Sequence, residues 1–183
     1  MSIKVAILGH SQVPQTFHVQ NSEISIFRRS GACIHHFDES PLRDILEDRF
    51  DLVFLFLGGN DIRADLYDCK PVIVGLKGIL LRLKEISKEV RFVAIERRHY
   101  SVNNRFGVEN AQYEHDRRRI NNNLRKFCGR QNIRIVNTTT RWFSDHLGKD
   151  GVHFATEAQR ELKQKFTNVI NLCREQAIQG GSS

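Results

Sequence analysis

Three nearly continuous apolar runs are the feature that most constrains the fold of this 183-residue chain. They span residues 5–8 (VAIL), 52–57 (LVFLFL) and 92–95 (FVAI). A strand with one face in water alternates apolar and polar residues, whereas a strand buried on both faces is apolar throughout. Strands of the second kind are typical of parallel sheets that helices cover on both sides. The runs therefore predict buried strands at the centre of a parallel sheet.

Further segments complete an alternating pattern of strands and helices. Five runs rich in β-branched or aromatic residues are predicted to be strands: Ile3–Leu8, Ile24–Arg28, Asp51–Leu57, Arg91–Glu96 and Ile133–Asn137. Apolar residues at steps of three and four predict three helices: Pro71–Glu89, Tyr113–Phe127 and Thr156–Arg174. The alternation predicts an α/β fold, a three-layer α/β/α sandwich with a five-stranded, mainly parallel sheet.

The chain length suits one domain, and no change of composition divides it. We predict a single domain over residues 1–178 and a flexible tail over residues 179–183. No apolar run approaches the roughly 20 residues of a spanning helix, and the chain begins without a secretory leader pattern. We therefore expect a cytoplasmic location. Four cysteines lack zinc-site spacing and are expected to be free thiols: Cys33, Cys69, Cys128 and Cys173.

Candidate functional residues follow the carboxyl ends of predicted strands, where open parallel sheets bind their ligands. Gly9-His10-Ser11 follows the first strand, Gly31 the second, and Gly58-Gly59-Asn60-Asp61 the third. Asp150-Gly151-Val152-His153 precedes the last helix. These segments offer a small nucleophile, an open backbone amide, an amide side chain, and a histidine with a carboxylate three positions earlier. Acyl transfer requires groups of these kinds.

The four segments resemble the sequence blocks of the SGNH (GDSL-like) hydrolase family, in the family's order and across nearly the whole chain. Residues 58–61 match the Gly-x-Asn-Asp block in full, and residues 150–153 match the Asp-x-x-His block in full. The family usually has aspartate before the nucleophile and leucine after it, where this chain has His10 and Gln12. That departure leaves the geometry of the loop open and adds a second imidazole near the site.

The resemblance implies a flavodoxin-like sheet and a serine esterase that cleaves small acyl esters without a metal or organic cofactor. It implies that Ser11 is the nucleophile, His153 its base and Asp150 the carboxylate behind the base. The oxyanion hole would consist of the backbone N–H groups of Ser11 and Gly31 and the side-chain amide of Asn60. Each such donor lowers the barrier by roughly 3–4 kcal/mol.

Each segment also has a plainer interpretation. Ser11 is a residue type that begins helices, Asn60 is a common turn residue, and His153 is compatible with a packed core. Their joint occurrence at one sheet edge favours the hydrolase site. His35-His36 is not predicted to bind a metal, because no thiolate or carboxylate partner is evident for it.

The net charge of +7 is concentrated on and around the second predicted helix. Its basic residues are candidate contacts for RNA or an anionic membrane, or simply a solvated helix face: Arg117, Arg118, Arg119, Arg125 and Lys126. The alternative function is thus a non-catalytic SGNH-like module that binds RNA or anionic lipid. In the wider family, the esterase domains of some non-LTR retrotransposon proteins keep the triad, whereas the RNA-binding OSK domain of Oskar lacks it. With its triad complete, this chain is more similar to the former.

Overall fold

The structure, a computed structural model, describes residues 1–101, 104–138 and 147–181. Five strands are present: β1 (Ile3–Gly9), β2 (Ser22–Arg28), β3 (Phe50–Phe56), β4 (Ser87–Val93) and β5 (Arg134–Val136). The α-helices are α1 (Lys70–Ile86), α2 (Asn110–Arg130) and α3 (Thr156–Gly180). Short 3-10 helices occupy Ile34–Asp38, Leu42–Glu47 and Gly59–Asp61.

The strands form one parallel sheet in the order β2-β1-β3-β4-β5. At the carboxyl end of β1, Gly9 pairs with Arg28 of β2 on one side and with Phe56 of β3 on the other. The loops after β1, β2 and β3 therefore leave the sheet at the same level, where the strand order reverses. This topology confirms the predicted α/β class and the five-stranded parallel sheet.

Alternate residues of the central strands pack against different helices. In β1, Val5 and Ile7 face a core formed with α3, whereas Ala6 and Leu8 face a core formed with α1 and α2. The strand β3 divides in the same way between the two cores. Because both faces are covered, the apolar runs need no polar alternation. The predicted three layers are confirmed.

The strand β4 begins earlier than predicted. Helix α1 ends at Ile86, and the polar segment 87–89 then pairs with β3 from Phe50 onward. These residues are partly or fully exposed at the amino end of the sheet, so their side chains reach water while their backbone extends the ladder. Apolar character alone locates only the buried half of this strand.

A side chain from α2 completes the carboxyl end of β4. The Ala94 N–H still donates to Val136 O at 2.9 Å, but the chain then leaves the ladder. The Ile95 N–H donates to Asn121 Oδ1 at 3.0 Å, and Ile95 O accepts from Asn121 Nδ2 at 3.1 Å. Asn121 is buried, and its side-chain amide is committed to this contact with the backbone of Ile95.

The last helix is longer than predicted. It extends to Gly180, so residues 179 and 180 of the predicted tail are helical, and residues 182–183 lie outside the described residues. Asn103, in the segment between β4 and α2, also lies outside the described residues. None of the described helices combines the length and the apolar character needed to cross a membrane. All four cysteines are buried free thiols.

Candidate active site

The three residues predicted as nucleophile, base and carboxylate lie together. Ser11 Oγ is 3.1 Å from His153 Nε2, although 142 positions separate the two residues. On the other side of the ring, His153 Nδ1 is 2.5 Å from Asp150 Oδ2. Ser11 lies in a turn directly after β1, where no helix begins, and the His153 side chain is 47% exposed. Neither the helix-start nor the packed-core interpretation therefore applies.

The segment Asp150–His153 forms a tight turn, which an antiparallel bridge between Leu147 and Phe154 closes. Gly151 has a φ of +68°, and a Cβ at this position would lie 1.7 Å from the carbonyl oxygen of His99. The His99 N–H also donates to Gly151 O at 2.7 Å. Only glycine fits this left-handed conformation and this close approach. The turn therefore depends on the segment that follows β4.

Asp150 is held in its ionised form. Its Oδ1 accepts hydrogen bonds from the backbone N–H groups of Val152 and His153 at 3.0 and 2.9 Å. Partial burial opposes ionisation, but the hydrogen bond to the imidazole and the two backbone bonds outweigh it and lower the pKa of Asp150 to about 2. The carboxylate therefore favours a proton on His153 Nδ1 and leaves the Nε2 lone pair toward Ser11.

Gln12 joins the serine loop to the histidine turn. Its buried side chain donates from Nε2 to Val152 O at 2.6 Å and accepts at Oε1 from the Phe154 N–H at 3.2 Å. Arg28, at the end of β2, donates to Ser11 O at 3.1 Å. The residue that replaces the family's usual leucine thus fixes the backbone on both sides of His153.

His10, the residue before Ser11, is completely buried. Its Nδ1 accepts a hydrogen bond from the Gln12 N–H at 3.2 Å, so its proton is on Nε2, 3.4 Å from Glu96 Oε1. Glu96 Oε1 accepts in turn from Arg98 Nε at 3.0 Å and Nη2 at 2.5 Å. Burial opposes ionisation of the Glu96 and Arg98 side chains. The attraction between their opposite charges outweighs that effect, so the pKa of Glu96 is lowered and the pKa of Arg98 is raised.

The predicted oxyanion groups occupy the loops after β2 and β3. The buried Asn60 donates from Nδ2 to Ala32 O at 3.0 Å and accepts at Oδ1 from Arg98 Nη1 at 3.1 Å. Gly31 is exposed, with no atom within 4 Å of the position of a Cβ. Within the described ranges, the backbone N–H groups of Ser11 and Gly31 donate to no other group. Both therefore stay predicted oxyanion donors.

A cleft of about 420 Å³ opens beside Ser11 and His153. Its walls come from the serine loop, the end of β2 and the start of α3: Ser11, Gln12, Val13, Pro14, Gln15, Thr16, Arg28, His153, Gln159, Leu162 and Lys163. Gly31 and Asn60 do not line it. The cleft and the predicted oxyanion groups are therefore separate features that meet at Ser11.

Glu96 and Arg98 are the site residues that the sequence analysis missed. The sequence patterns place Glu96 at the end of a predicted strand and give Arg98 no role. The available signal was their position, because three charged residues, 96–98, directly follow the apolar run 92–95 at the edge where the other candidates meet. A charge at such a point is either solvated or paired in the interior, and here it is paired.

The basic residues of α2 divide between two flanks of the helix. Three of the predicted five line a cleft of about 400 Å³ with Arg97, Asn122, Asn137 and Thr138, namely Arg117, Arg118 and Arg125. Arg119 and Lys126 do not line this cleft. They are seven positions apart, as are Arg118 and Arg125, and each such pair lies on one flank because seven residues make nearly two turns.

The cleft-lining arginines also have partners within the fold. Arg117 donates to Ile95 O at 3.2 Å, and both Arg117 and Arg118 pair with Glu114. Arg125 donates to Asn137 Oδ1 at 3.0 Å. Arg118 and Arg125 are exposed, so these contacts leave their guanidinium groups accessible to an anion.

Cys33 lies beside His35 and His36 in the structure. The potential ligand atoms of the three side chains are within 4.8 Å of one another, so the premise that no cysteine or carboxylate lies near this histidine pair is wrong. Burial raises the pKa of the Cys33 thiol, which donates to Asn60 O at 3.5 Å, and an Arg63 guanidinium nitrogen lies 3.8 Å from the sulfur. A protonated thiol beside a cation does not favour metal binding, and we do not assign a metal to the cluster.

A family model described as the GDSL-like lipase/acylhydrolase family matches residues 10–161. The chain belongs to this family. The match spans Ser11, Gly31, Asn60, Asp150 and His153, and it confirms the resemblance inferred from the sequence blocks. The chain is therefore a member of a hydrolase family. No curated protein matches the sequence.

Several solved structures share the fold of this chain at low sequence identity. A GDSL-family lipolytic protein from Veillonella parvula has a TM-score of 0.71 at 15% identity, over 92% of this chain and 98% of that one. A lipase/acylhydrolase from Enterococcus faecalis has a TM-score of 0.69 at 12% identity, over 93% and 95%. An acetylxylan esterase from Geobacillus stearothermophilus has a TM-score of 0.63 at 14% identity, over 92% and 94%.

Proposed function

We propose that this GDSL-like hydrolase is a serine esterase that cleaves small acyl esters through an acyl-enzyme. The observation that carries the proposal is the 3.1 Å separation of Ser11 Oγ and His153 Nε2, with Asp150 hydrogen-bonded to the far side of the ring. A hydroxyl at this distance from a neutral imidazole can transfer its proton as it attacks a carbonyl carbon. Asp150 stabilises the imidazolium that results.

The proposed reaction has two stages. In the first, His153 takes the Ser11 proton while Oγ attacks the ester, and it then gives that proton to the departing alcohol, leaving Ser11 acylated. In the second, His153 takes a proton from water, the hydroxide attacks the acyl group, and Ser11 leaves with the proton restored to it. The backbone N–H groups of Ser11 and Gly31 and the Asn60 amide stabilise the oxyanion in both stages. These steps require no metal or organic cofactor.

The cleft beside Ser11 supports a small substrate. Its volume of about 420 Å³ lies at the lower end of the range for small-molecule pockets, and polar and apolar side chains both line it. Acetyl and butyryl esters fit these dimensions. The acetylxylan esterases among the similar structures make acetyl esters the first substrates to assay.

The decisive experiment compares hydrolysis of p-nitrophenyl acetate and butyrate by the wild type and by Ser11→Ala. We expect kcat to fall by about 10⁴-fold or more, since removing a triad nucleophile leaves only oxyanion and binding effects. Ser101→Ala, which removes an exposed hydroxyl elsewhere, is the matched control and should keep wild-type rates. A fluorophosphonate probe should label the wild type and the control alone. Equal rates in wild type and Ser11→Ala would remove Ser11 from the mechanism.

The basic cleft on α2 supports a second function, binding of RNA through its phosphates. Four arginines converge on a concave surface of about 400 Å³ that also offers Asn122, Asn137 and Thr138 as hydrogen-bonding groups. An RNA strand can enter a concave surface, whereas a flat membrane cannot, so the shape favours RNA. Ester hydrolysis and RNA binding are compatible, because the two clefts have no lining residue in common.

The two flanks of α2 supply a matched pair of variants for this function. Arg118→Ala/Arg125→Ala removes two charges from the cleft, and Arg119→Ala/Lys126→Ala removes two charges from the other flank. If the cleft binds RNA, the first variant should weaken anisotropy-measured binding of a single-stranded RNA and lower its salt dependence, by about one unit of slope per lost phosphate contact. Equal weakening by both variants would indicate general charge attraction, and binding to anionic vesicles in place of RNA would indicate a membrane surface.

A further inference from the structure

The orientation of the Asn60 amide is determined by the charge buried behind it. A guanidinium group has only hydrogen-bond donors, so the Asn60 atom that faces Arg98 Nη1 at 3.1 Å must be the amide oxygen. The amide nitrogen then points away from Arg98, and one of its two protons is donated to Ala32 O. The second N–H is left for another acceptor.

We propose that the Glu96–Arg98 ion pair is a positioning device for Asn60, which fixes and polarises its amide so that the second N–H serves as an oxyanion donor. The inference rests on the esterase function proposed above and assigns roles to two residues outside the family's four blocks. Neither residue touches the substrate. Both act through Asn60.

The burial of the pair supports this role. The Arg98 and Glu96 side chains are 2% and 0% exposed, and a second arginine bond, from Nη1 to the Tyr100 hydroxyl at 2.8 Å, fixes the guanidinium plane. A buried ion pair adds little net stability compared with apolar side chains of the same size, because both charges lose their hydration. What a buried, fully oriented cation does supply is a strong local field, because few water dipoles screen it.

Gly59 provides a further indication that the loop is built against the pair. A Cβ at this position would lie 2.6 Å from both Arg98 Nη2 and Glu96 Oε1. The backbone beside Asn60 therefore rests directly on the charged groups, and a Cβ at this position would displace them. The close approach to the ion pair thus explains why a glycine occupies position 59, the variable position of the Gly-x-Asn-Asp block.

His10 completes the arrangement from the side of the nucleophile. Where the family has a carboxylate before the serine, this chain has an imidazole, and the nearby carboxylate comes instead from Glu96. At 3.4 Å the contact is long for a hydrogen bond and is mainly electrostatic. One buried chain of contacts therefore runs from the residue before Ser11 to the amide of Asn60.

The test uses the full chain and removes both charges together, because removing Arg98 alone leaves Glu96 buried without its cation and commonly unfolds a protein. The variants are Glu96→Gln/Arg98→Met, Asn60→Ala and their combination, with p-nitrophenyl acetate as substrate. Arg63→Met is the control. This exposed arginine donates to the Asn60 backbone carbonyl at 3.1 Å and not to its side chain, so its loss should leave kcat within about 2-fold of wild type.

We expect Asn60→Ala to lower kcat by about 10²-fold to 10³-fold and the paired variant by about 10-fold to 100-fold, with KM nearly unchanged in both. If the pair acts through Asn60, the combined variant is no slower than Asn60→Ala alone. A combined variant slowed by the product of the two factors, or a paired variant with wild-type kcat, overturns the proposal.

A spectroscopic measurement keeps the inference separate from the proposed function. Arg98→Lys keeps the cation but not the fixed fork that binds Glu96 and Asn60 together. We expect it to shift the side-chain ¹⁵N–¹H resonances of Asn60 and to leave those of Asn122, an exposed control, in place. A wild type without Ser11-dependent hydrolysis would count against the esterase function. The test of the positioning role would then depend on the Asn60 resonances alone. If Arg98→Lys leaves these resonances unchanged, the positioning role is overturned.

Discussion

The two halves of the site are built in opposite ways. Asp150 and His153 lie on a turn and leave 50% and 47% of their side chains exposed. Asn60, on the other half, rests on the Glu96–Arg98 pair, which is almost completely buried. The difference follows from the chemistry proposed for each half. A base must exchange protons with substrate and water, whereas an oxyanion donor must be fixed before the charge develops. The two halves should therefore respond differently to mutation.

The largest effect is expected for His153→Ala. Loss of the base should lower kcat for p-nitrophenyl acetate by about 10⁴-fold to 10⁶-fold. The melting temperature should change little, because the side chain is 47% exposed. His115→Ala, on the exposed surface of α2, should retain wild-type activity. A His153→Ala protein that unfolds would show that the exposed half also supports the fold.

The reverse pattern is expected for Glu96→Ala. Its removal leaves the Arg98 guanidinium buried without a counterion, which should lower the free energy of unfolding by about 3–5 kcal/mol in denaturant titrations. Glu114→Ala is the matched control, since it breaks ion pairs with Arg117 and Arg118 at the surface of α2. That change should cost about 1 kcal/mol or less. Similar losses in the two variants would contradict the contrast between the halves.

A smaller effect on both stability and activity is expected for Gln12→Met. Methionine fills a similar volume but leaves Val152 O and the Phe154 N–H without their partner. Unfolding free energy should fall by about 1–3 kcal/mol. kcat/KM should fall by about 10-fold as the His153 turn loosens. Gln20→Met, at an exposed position, is the control. A stable variant with wild-type kinetics would mean that the turn is held by its own bridge and glycine.

The smallest effect is expected for Asp150 when the pH of the assay is lowered. Because its hydrogen bonds lower the pKa of Asp150 from 3.8 to about 2, the carboxylate remains ionised throughout an assay between pH 4 and pH 8. Any stability that this group contributes is present above pH 4 and is lost only as the pH falls toward 2. Protonation of Asp150 should therefore add no step to the profile of log kcat/KM against pH between pH 4 and pH 8. A step that Asp150→Asn removes from this range would contradict the low pKa of the carboxyl group.

Most of the architecture was predictable from local pattern. The apolar runs identified strands buried on both faces, and their alternation with amphipathic segments predicted the sandwich. The start of β4 was not predictable in this way, because residues 87–89 join the ladder through backbone bonds to β3 while their side chains remain polar. Pairing of this kind depends on which strand lies alongside.

The candidate site also has parts that the sequence predicts and parts that it does not. Ser11, Asp150 and His153 could be predicted together because they belong to recognisable sequence blocks, and the structure brings their side chains together. The contact between Arg98 and Asn60 was not found, because it depends on how the loops after β3 and β4 pack against each other. The partner of His35-His36 was also missed, because a 3-10 turn brings Cys33 toward them within three residues.

The contact between His10 and Glu96 restricts how this protein can have diverged from relatives with aspartate before the serine. His10→Asp alone would press a second carboxylate against Glu96 where both side chains are fully buried, and glutamate at 96 opposite an aspartate at position 10 would do the same. A mutational route between the two arrangements must therefore pass through a neutral residue at one position before the other changes. Each arrangement, once established, is protected from single-step reversal, and the two positions are expected to vary together among descendants of this chain.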